Sequence, residues 1–179
     1  MSEKNYEIEV LYSEEELEAR ISELGRQISE AYRGRSIHMI CILKGGVFFM
    51  TELSKHIDES IPVTMDFMSV SSYGNDLQSS GVVKIIKDLD QSIAGRDVLV
   101  VEDIIDSGRT LHYLLHMLKD RQPASLALCT LLDKPSRREK EVKVDYTGFE
   151  IEDLFVLGYG LDYEQKYRNL PYIGAVKFI

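Results

Sequence analysis

The sequence predicts an α/β fold, a parallel sheet with helices on both faces. Strand-like apolar runs alternate with segments of helical period along the chain. The runs are apolar throughout rather than alternating, as befits strands buried on both faces. The unit strand, glycine turn, helix occurs twice, around Lys44-Gly45-Gly46 and around Asp106-Ser107-Gly108.

Ser13 followed by Glu16 is a capping box. Leu17, Ile21, Leu24, Ile28 and Tyr32 then recur at helical spacing, and Gly34 is placed to end the helix as its C′ residue. Ile37–Leu43 has the length of a buried strand; Lys44-Gly45-Gly46 breaks it, and a helix over 47–57 follows. Runs at 63–70 and 82–86 read as strands. The second unit places a strand over 97–102, a turn at 106–108 and a helix over 109–121, with another strand over 125–132. Two further strands, at 155–158 and 172–176, lie in the loop-rich C-terminal third. There is no internal repeat, low-complexity tract or interdomain linker, so residues 1–179 are expected to form one domain.

The chain has 179 residues, 44% hydrophobic and 28% charged, enough for a real core. Its formal charge of −9 argues against bulk nucleic-acid binding. Cys41 and Cys129 lie inside apolar runs and read as core thiols of a reducing compartment. No apolar stretch approaches the roughly 20 residues that cross a bilayer, and the N-terminus lacks the apolar segment of a secretory signal. A soluble cytoplasmic protein is expected.

The segment Val98-Leu-Val-Val-Glu-Asp-Ile-Ile-Asp-Ser-Gly-Arg-Thr110 carries the most chemistry. A buried strand ends in Glu102 and Asp103, and a turn with Asp106, Ser107, Gly108 and Thr110 opens a helix. Free N–H groups, hydroxyls and a glycine at a helix start cradle phosphate. Paired carboxylates hold sugar hydroxyls or magnesium, both oxygen-seeking partners. Together they describe a phosphorylated ribose. Alternatively, Asp106 or Ser107 simply caps the helix. The pattern is not the GxxxxGK[ST] loop of nucleoside triphosphatases.

This segment closely resembles the phosphoribosyl-pyrophosphate (PRPP) signature of type I purine phosphoribosyltransferases, and the chain is similar to their hypoxanthine–guanine branch. Leu43-Lys44-Gly45-Gly46 looks like the pyrophosphate loop, and Ser71-Ser72-Tyr73-Gly74 like the start of a mobile lid. Leu132-Asp133-Lys134 matches the purine-recognising lysine segment, and Phe155 to Asp162 with Tyr167-Arg168-Asn169 matches the base and metal segment. The resemblance implies a Rossmann-like parallel sheet, the type I phosphoribosyltransferase fold, with a small hood formed by the chain ends. It implies Mg2+-dependent purine salvage, in which PRPP and hypoxanthine or guanine, with xanthine a further candidate, give a nucleotide and pyrophosphate. The family commonly forms homodimers or homotetramers.

The resemblance also implies roles. Asp106, Ser107, Gly108, Arg109 and Thr110 hold the 5′-phosphate. Glu102 and Asp103 hold the ribose hydroxyls, directly or through magnesium. Lys44, Gly45 and Arg168 meet pyrophosphate, and Ser72 and Tyr73 of a lid over 71–81 cover it. The family often has a non-proline cis peptide in the Lys44 loop. Lys134 donates to the purine 6-oxo group, Phe155 stacks on the base, and the Val156 backbone reads its far edge. Asp162 ligates magnesium, and Asp106 is the acid/base near purine N7.

Other signals are weaker. His112 and His116 lie four apart but lack the HExxH glutamate, so surface or interface histidines are expected rather than zinc. The basic run 134–140 reads as a solvated loop with Lys134 turned inward, or as an RNA or nucleotide-effector patch. A regulator that keeps this fold but binds RNA or a nucleotide signal is the competing function; it lacks support from a broad basic face.

Overall fold

The computed structural model describes residues 6–72 and 83–179. In chain order these form β1 (Tyr6–Tyr12), α1 (Glu14–Ala31), β2 (Ile37–Leu43), α2 (Gly46–Lys55), β3 (Val63–Ser72) and β4 (Val83–Lys87). Next come β5 (Asp97–Ile105), α3 (Arg109–Asp120), β6 (Ser125–Asp133), a 3-10 turn (Pro135–Arg137), β7 (Tyr146–Glu150), β8 (Val156–Leu157) and β9 (Ile173–Phe178).

The main sheet has the order β4-β3-β2-β5-β6-β7. Pairing is parallel across β3-β2-β5-β6-β7, as the apolar runs require. Successive residues of a strand face opposite sides, and both sides are apolar here. Met39 and Cys41 of β2, with Leu99 and Val101 of β5, enter the core under α1 and α2. Ile40, Ile42, Val98 and Val100 enter the other, under Leu111, Leu114 and Leu118 of α3. Helix α1 turns its periodic face inward, with Leu17, Ile21, Leu24 and Ile28 fully buried. Its capping box forms, Glu16 N donating to Ser13 Oγ at 3.3 Å and Ser13 N to Glu16 Oε2 at 2.8 Å.

Several expectations change. Strand β4 runs antiparallel to β3, so the sheet is mixed at one edge. An antiparallel neighbour needs no crossover helix. Ser71 and Ser72 complete β3, opposite Lys84 and Val83, instead of opening the loop. The remainder of the expected lid, from Tyr73 on, lies outside the described residues, as does the Ser72 side chain. Tyr32 caps α1, so Gly34 lies one residue beyond C′, in the left-handed region at φ 76°. Strand β5 runs to Ile105, placing Glu102 and Asp103 within it. Strands β1 and β7 were not expected.

The hood is present. β1, β9 and β8 form an antiparallel three-stranded sheet built from both ends of the chain. The described residues include no helix long and apolar enough to cross a membrane.

Candidate active site

Lys44, Glu102, Asp103, Asp106 and Lys134 lie where β2, β5 and β6 end, the edge at which open α/β sheets bind ligands, while Asp162 and Arg168 follow β8. Helix α3 starts at Gly108, whose φ of 76° turns the chain from strand to helix, and no side-chain bond caps it. Asp106 is therefore not the cap. Ser107 Oγ accepts only a long bond of 3.4 Å from Arg109 N. A helix start without a side-chain cap is where first-turn backbone N–H groups can meet an anion. The loop is braced from behind: Ser107 O accepts from Glu139 N at 2.9 Å and Lys140 N at 3.1 Å, and Arg109 pairs with Glu139.

Glu102 is only 9% exposed. Burial, and then the neighbouring Asp103 carboxylate, push its carboxyl well above the usual range. Asp103 N donates to Glu102 Oε1 at 3.3 Å, and Asp103 Oδ1 accepts from Ile104 N at 2.9 Å. A divalent cation or sugar hydroxyls would relieve that crowding. Magnesium typically binds one or two carboxylates plus substrate and water oxygens, so this pair fits it. Asp162 is elsewhere engaged: Arg168 Nη2 lies 2.7 Å from its Oδ1. Among the described residues, no group of three or more His, Cys, Asp or Glu side chains is arranged to hold a metal. Glu102, Asp103 and Asp162 are thus not gathered into one cluster.

The Leu43–Lys44 peptide is cis. Gly45 is wedged between segments: a Cβ there would lie 1.6 Å from Asp103 Oδ2, and a Cβ on Gly160 would lie 2.1 Å from Gly45 O. Lys44 Nζ donates to Gln165 Oε1 at 3.2 Å, and Arg168 Nη2 donates to the same oxygen at 3.3 Å. Arg168 Nη1 also donates to Gly160 O at 2.7 Å. Two cations from distant parts of the chain thus converge on one oxygen.

Lys134 follows β6, its backbone N donating to Ile105 O at 2.9 Å. The side chain is buried, with Nζ 3.8 Å from Asp153 Oδ1. Arg137 Nε donates to Asp106 Oδ1 at 3.3 Å, and its Nη1 lies 3.6 Å from Asp153 Oδ2. Arg138 donates to Asp106 O at 3.1 Å and pairs with Asp133. The basic run is the expected solvated loop with Lys134 turned inward, exposed at 135–137 and 139–140, and its arginines also reach Asp106 and Asp133. Phe155 is half exposed and meets Tyr163 edge-on, with centroids 5.4 Å apart. Val156 is buried in β8, opposite Ala175.

A family model described as the phosphoribosyl transferase domain matches residues 7–164. The chain belongs to the phosphoribosyltransferase family. It is 54% identical over 168 residues to the hypoxanthine-guanine phosphoribosyltransferase of Bacillus subtilis, covering 94% of this chain and 92% of that protein. It is 53% identical over 171 residues to the hypoxanthine phosphoribosyltransferase of Escherichia coli K12, covering 94% and 95%. The crystal structure of a hypoxanthine phosphoribosyltransferase from Staphylococcus aureus matches with a TM-score of 0.91 at 47% identity, covering 94% of this chain and 91% of that one. A bifunctional TilS/HprT protein of Listeria monocytogenes is 56% identical over 168 residues, but this chain spans only 26% of its length.

In this phosphoribosyltransferase, Gln165 and Asp153 near the expected site had no sequence signal, and Arg137 was marked only as part of the basic run 134–140. Each acts through a partner distant in sequence or hidden within a run of charges. The two thiols are buried and pushed upward, Cys41 to about 12. On α3, His112 Nδ1 donates to Glu141 O at 3.0 Å and His116 Nδ1 to His112 O at 2.7 Å.

Proposed function

We infer that this phosphoribosyltransferase is a purine-salvage enzyme. It transfers the 5-phosphoribosyl group of PRPP to hypoxanthine or guanine, giving IMP or GMP and pyrophosphate; xanthine is a further candidate. The observation that carries this reading is the convergence, at one sheet edge, of an uncapped helix start, a crowded carboxylate pair and a buried lysine. The names of relatives more than half identical over nearly the whole chain support the same branch.

In this reading the 5′-phosphate sits on the Asp106–Thr110 turn and the ribose hydroxyls on Glu102 and Asp103. Lys44, the Gly45 backbone and Arg168 take the pyrophosphate, with Ser72 and Tyr73 closing over it. Bond breaking at the anomeric carbon leads, so positioning and electrostatic help to the departing pyrophosphate supply much of the catalysis. Lys134 donates to the 6-oxo group, which excludes adenine, whose amino group would face another donor. Asp106 handles the proton at N7. Phe155 stacks on the ring, and the Val156 backbone meets its far edge.

Mg2+ would be held by Glu102 and Asp103 on the ribose side and by Asp162 on the pyrophosphate side, where it supplies charge neutralisation to the polyphosphate. The enzyme is cytoplasmic, is one functional unit over 1–179, and works as a homodimer or homotetramer on small molecules rather than nucleic acid. Incubation with PRPP, Mg2+ and hypoxanthine should give IMP and pyrophosphate in equal amounts by chromatography. Formation of neither would sink the reading.

A further inference from the structure

We propose that Gln165 is a positioning residue of the pyrophosphate site, a placeholder whose amide oxygen holds Lys44 and Arg168 together until a phosphate oxygen replaces it. The proposal rests on the assignment of those two cations to pyrophosphate.

The geometry is specific. Gln165 Oε1 accepts from Lys44 Nζ at 3.2 Å and from Arg168 Nη2 at 3.3 Å, while its backbone N–H donates to Asp162 Oδ2 at 2.8 Å. One residue therefore contacts three of the groups assigned to pyrophosphate and its metal. Lys44 and Arg168 carry like charge; Asp162 Oδ1, 2.7 Å from Arg168 Nη2, offsets part of it, and the Gln165 oxygen is the acceptor that both cations share. A neutral amide oxygen satisfies both donors, yet it is a weaker partner than a phosphate oxygen, to which charge-assisted bonds form. It can organise the site and still yield to substrate.

The backbone holds Gln165 in that position. Tyr163 N donates to Lys166 O at 3.1 Å and Lys166 N to Tyr163 O at 3.0 Å, closing a two-residue hairpin turn. Both central residues have positive φ, 51° at Glu164 and 65° at Gln165, the conformation of the tight turn that usually takes Asn-Gly. Neither residue is one that this conformation favours, and at Gln165 the side chain supplies the acceptor that a glycine would lack.

The test compares wild type, Gln165→Ala and Gln165→Glu, the last retaining an acceptor oxygen on the same turn. Calorimetry would measure binding of inorganic pyrophosphate with Mg2+, alongside KM for PRPP, KM for hypoxanthine, kcat and Tm. Gln165→Ala should weaken pyrophosphate binding and raise KM for PRPP by about threefold to tenfold, the scale of one ordinary net hydrogen bond. KM for hypoxanthine and Tm should stay unchanged, and Gln165→Glu, whose carboxylate would compete with phosphate for the same two cations, should raise KM for PRPP at least as far as Gln165→Ala does. An active wild type whose Gln165→Ala variant keeps full pyrophosphate affinity, or loses affinity for both substrates equally, would overturn this proposal alone. A wild type that neither binds pyrophosphate nor turns over would overturn the functional reading with it.

Discussion

Asp103 Oδ2 occupies the space beside Gly45 that any larger residue would need, 1.6 Å from where a Cβ would stand. A carboxylate of strand β5 is thus packed against the backbone of the Lys44 loop, and Gly160 closes on Gly45 from a third segment. Gly45→Ala should displace Asp103 or the Lys44 loop. Since ~1 Å of misplacement costs catalysis on the order of a hundredfold, kcat/KM for PRPP should fall by about that factor in steady-state assays. Wild-type kinetics in this variant would mean the loops adjust freely.

Glu102 gives a prediction of opposite sign for stability and function. Its ionised form is disfavoured by burial and by Asp103, so Glu102→Gln removes an unfavourable charge from the ligand-free protein. Its Tm at neutral pH should rise by roughly 2–4 °C, the shift expected for about 1 kcal/mol in a chain of this size. Turnover should fall, because the ribose side loses a carboxylate. A lower Tm in calorimetry would contradict the account of a strained pair.

Asp106→Asn should lower kcat by about a hundredfold or more while changing KM for PRPP little, as expected for a proton-transfer group. The turn itself should survive, because its bracing bonds from Glu139 and Lys140 reach the Ser107 carbonyl rather than the Asp106 side chain. Comparison of kcat with KM decides; loss of PRPP affinity at unchanged kcat would remove Asp106 from catalysis.

His38 makes folding sensitive to acid. It is buried, its Nδ1 lies 2.8 Å from Thr64 Oγ1, and burial followed by Arg96 holds its pKa below the ordinary 6.5. The unfolded chain therefore binds a proton before the folded one does. The stability involved is fully present above pH 6.5 and is lost as pH falls through the lower folded value. Urea midpoints should drop more between pH 7.5 and 5.5 in wild type than in His38→Gln. Parallel curves would contradict this.

Much of the fold was legible because its signals are local. The buried strands β2 and β5 announce themselves as apolar runs, and Ser13 with Glu16 marks a helix start within four residues. Strand β1 carries a different signal from the buried strands, the apolar–glutamate alternation Tyr6-Glu7-Ile8-Glu9-Val10 of a half-exposed strand rather than a continuous apolar run, and β7 is hard to see because it has five residues with a glycine at its centre. The antiparallel edge was missed because direction depends on the length of a connection rather than on strand composition. In the site, Lys44, Asp106, Lys134 and Arg168 lie in recognisable motifs. Gln165 does not, since its significance comes from Lys44, 121 residues away.

The most direct test of the central claim is base selectivity. kcat/KM would be measured with saturating PRPP and Mg2+ for hypoxanthine, guanine, xanthine and adenine, in wild type and in Lys134→Ala. Hypoxanthine and guanine should turn over with wild type and adenine should not, and Lys134→Ala should chiefly weaken use of the 6-oxopurines. Turnover with adenine alone, or a Lys134→Ala variant with unchanged base preference, would contradict a buried lysine that reads the 6-oxo group.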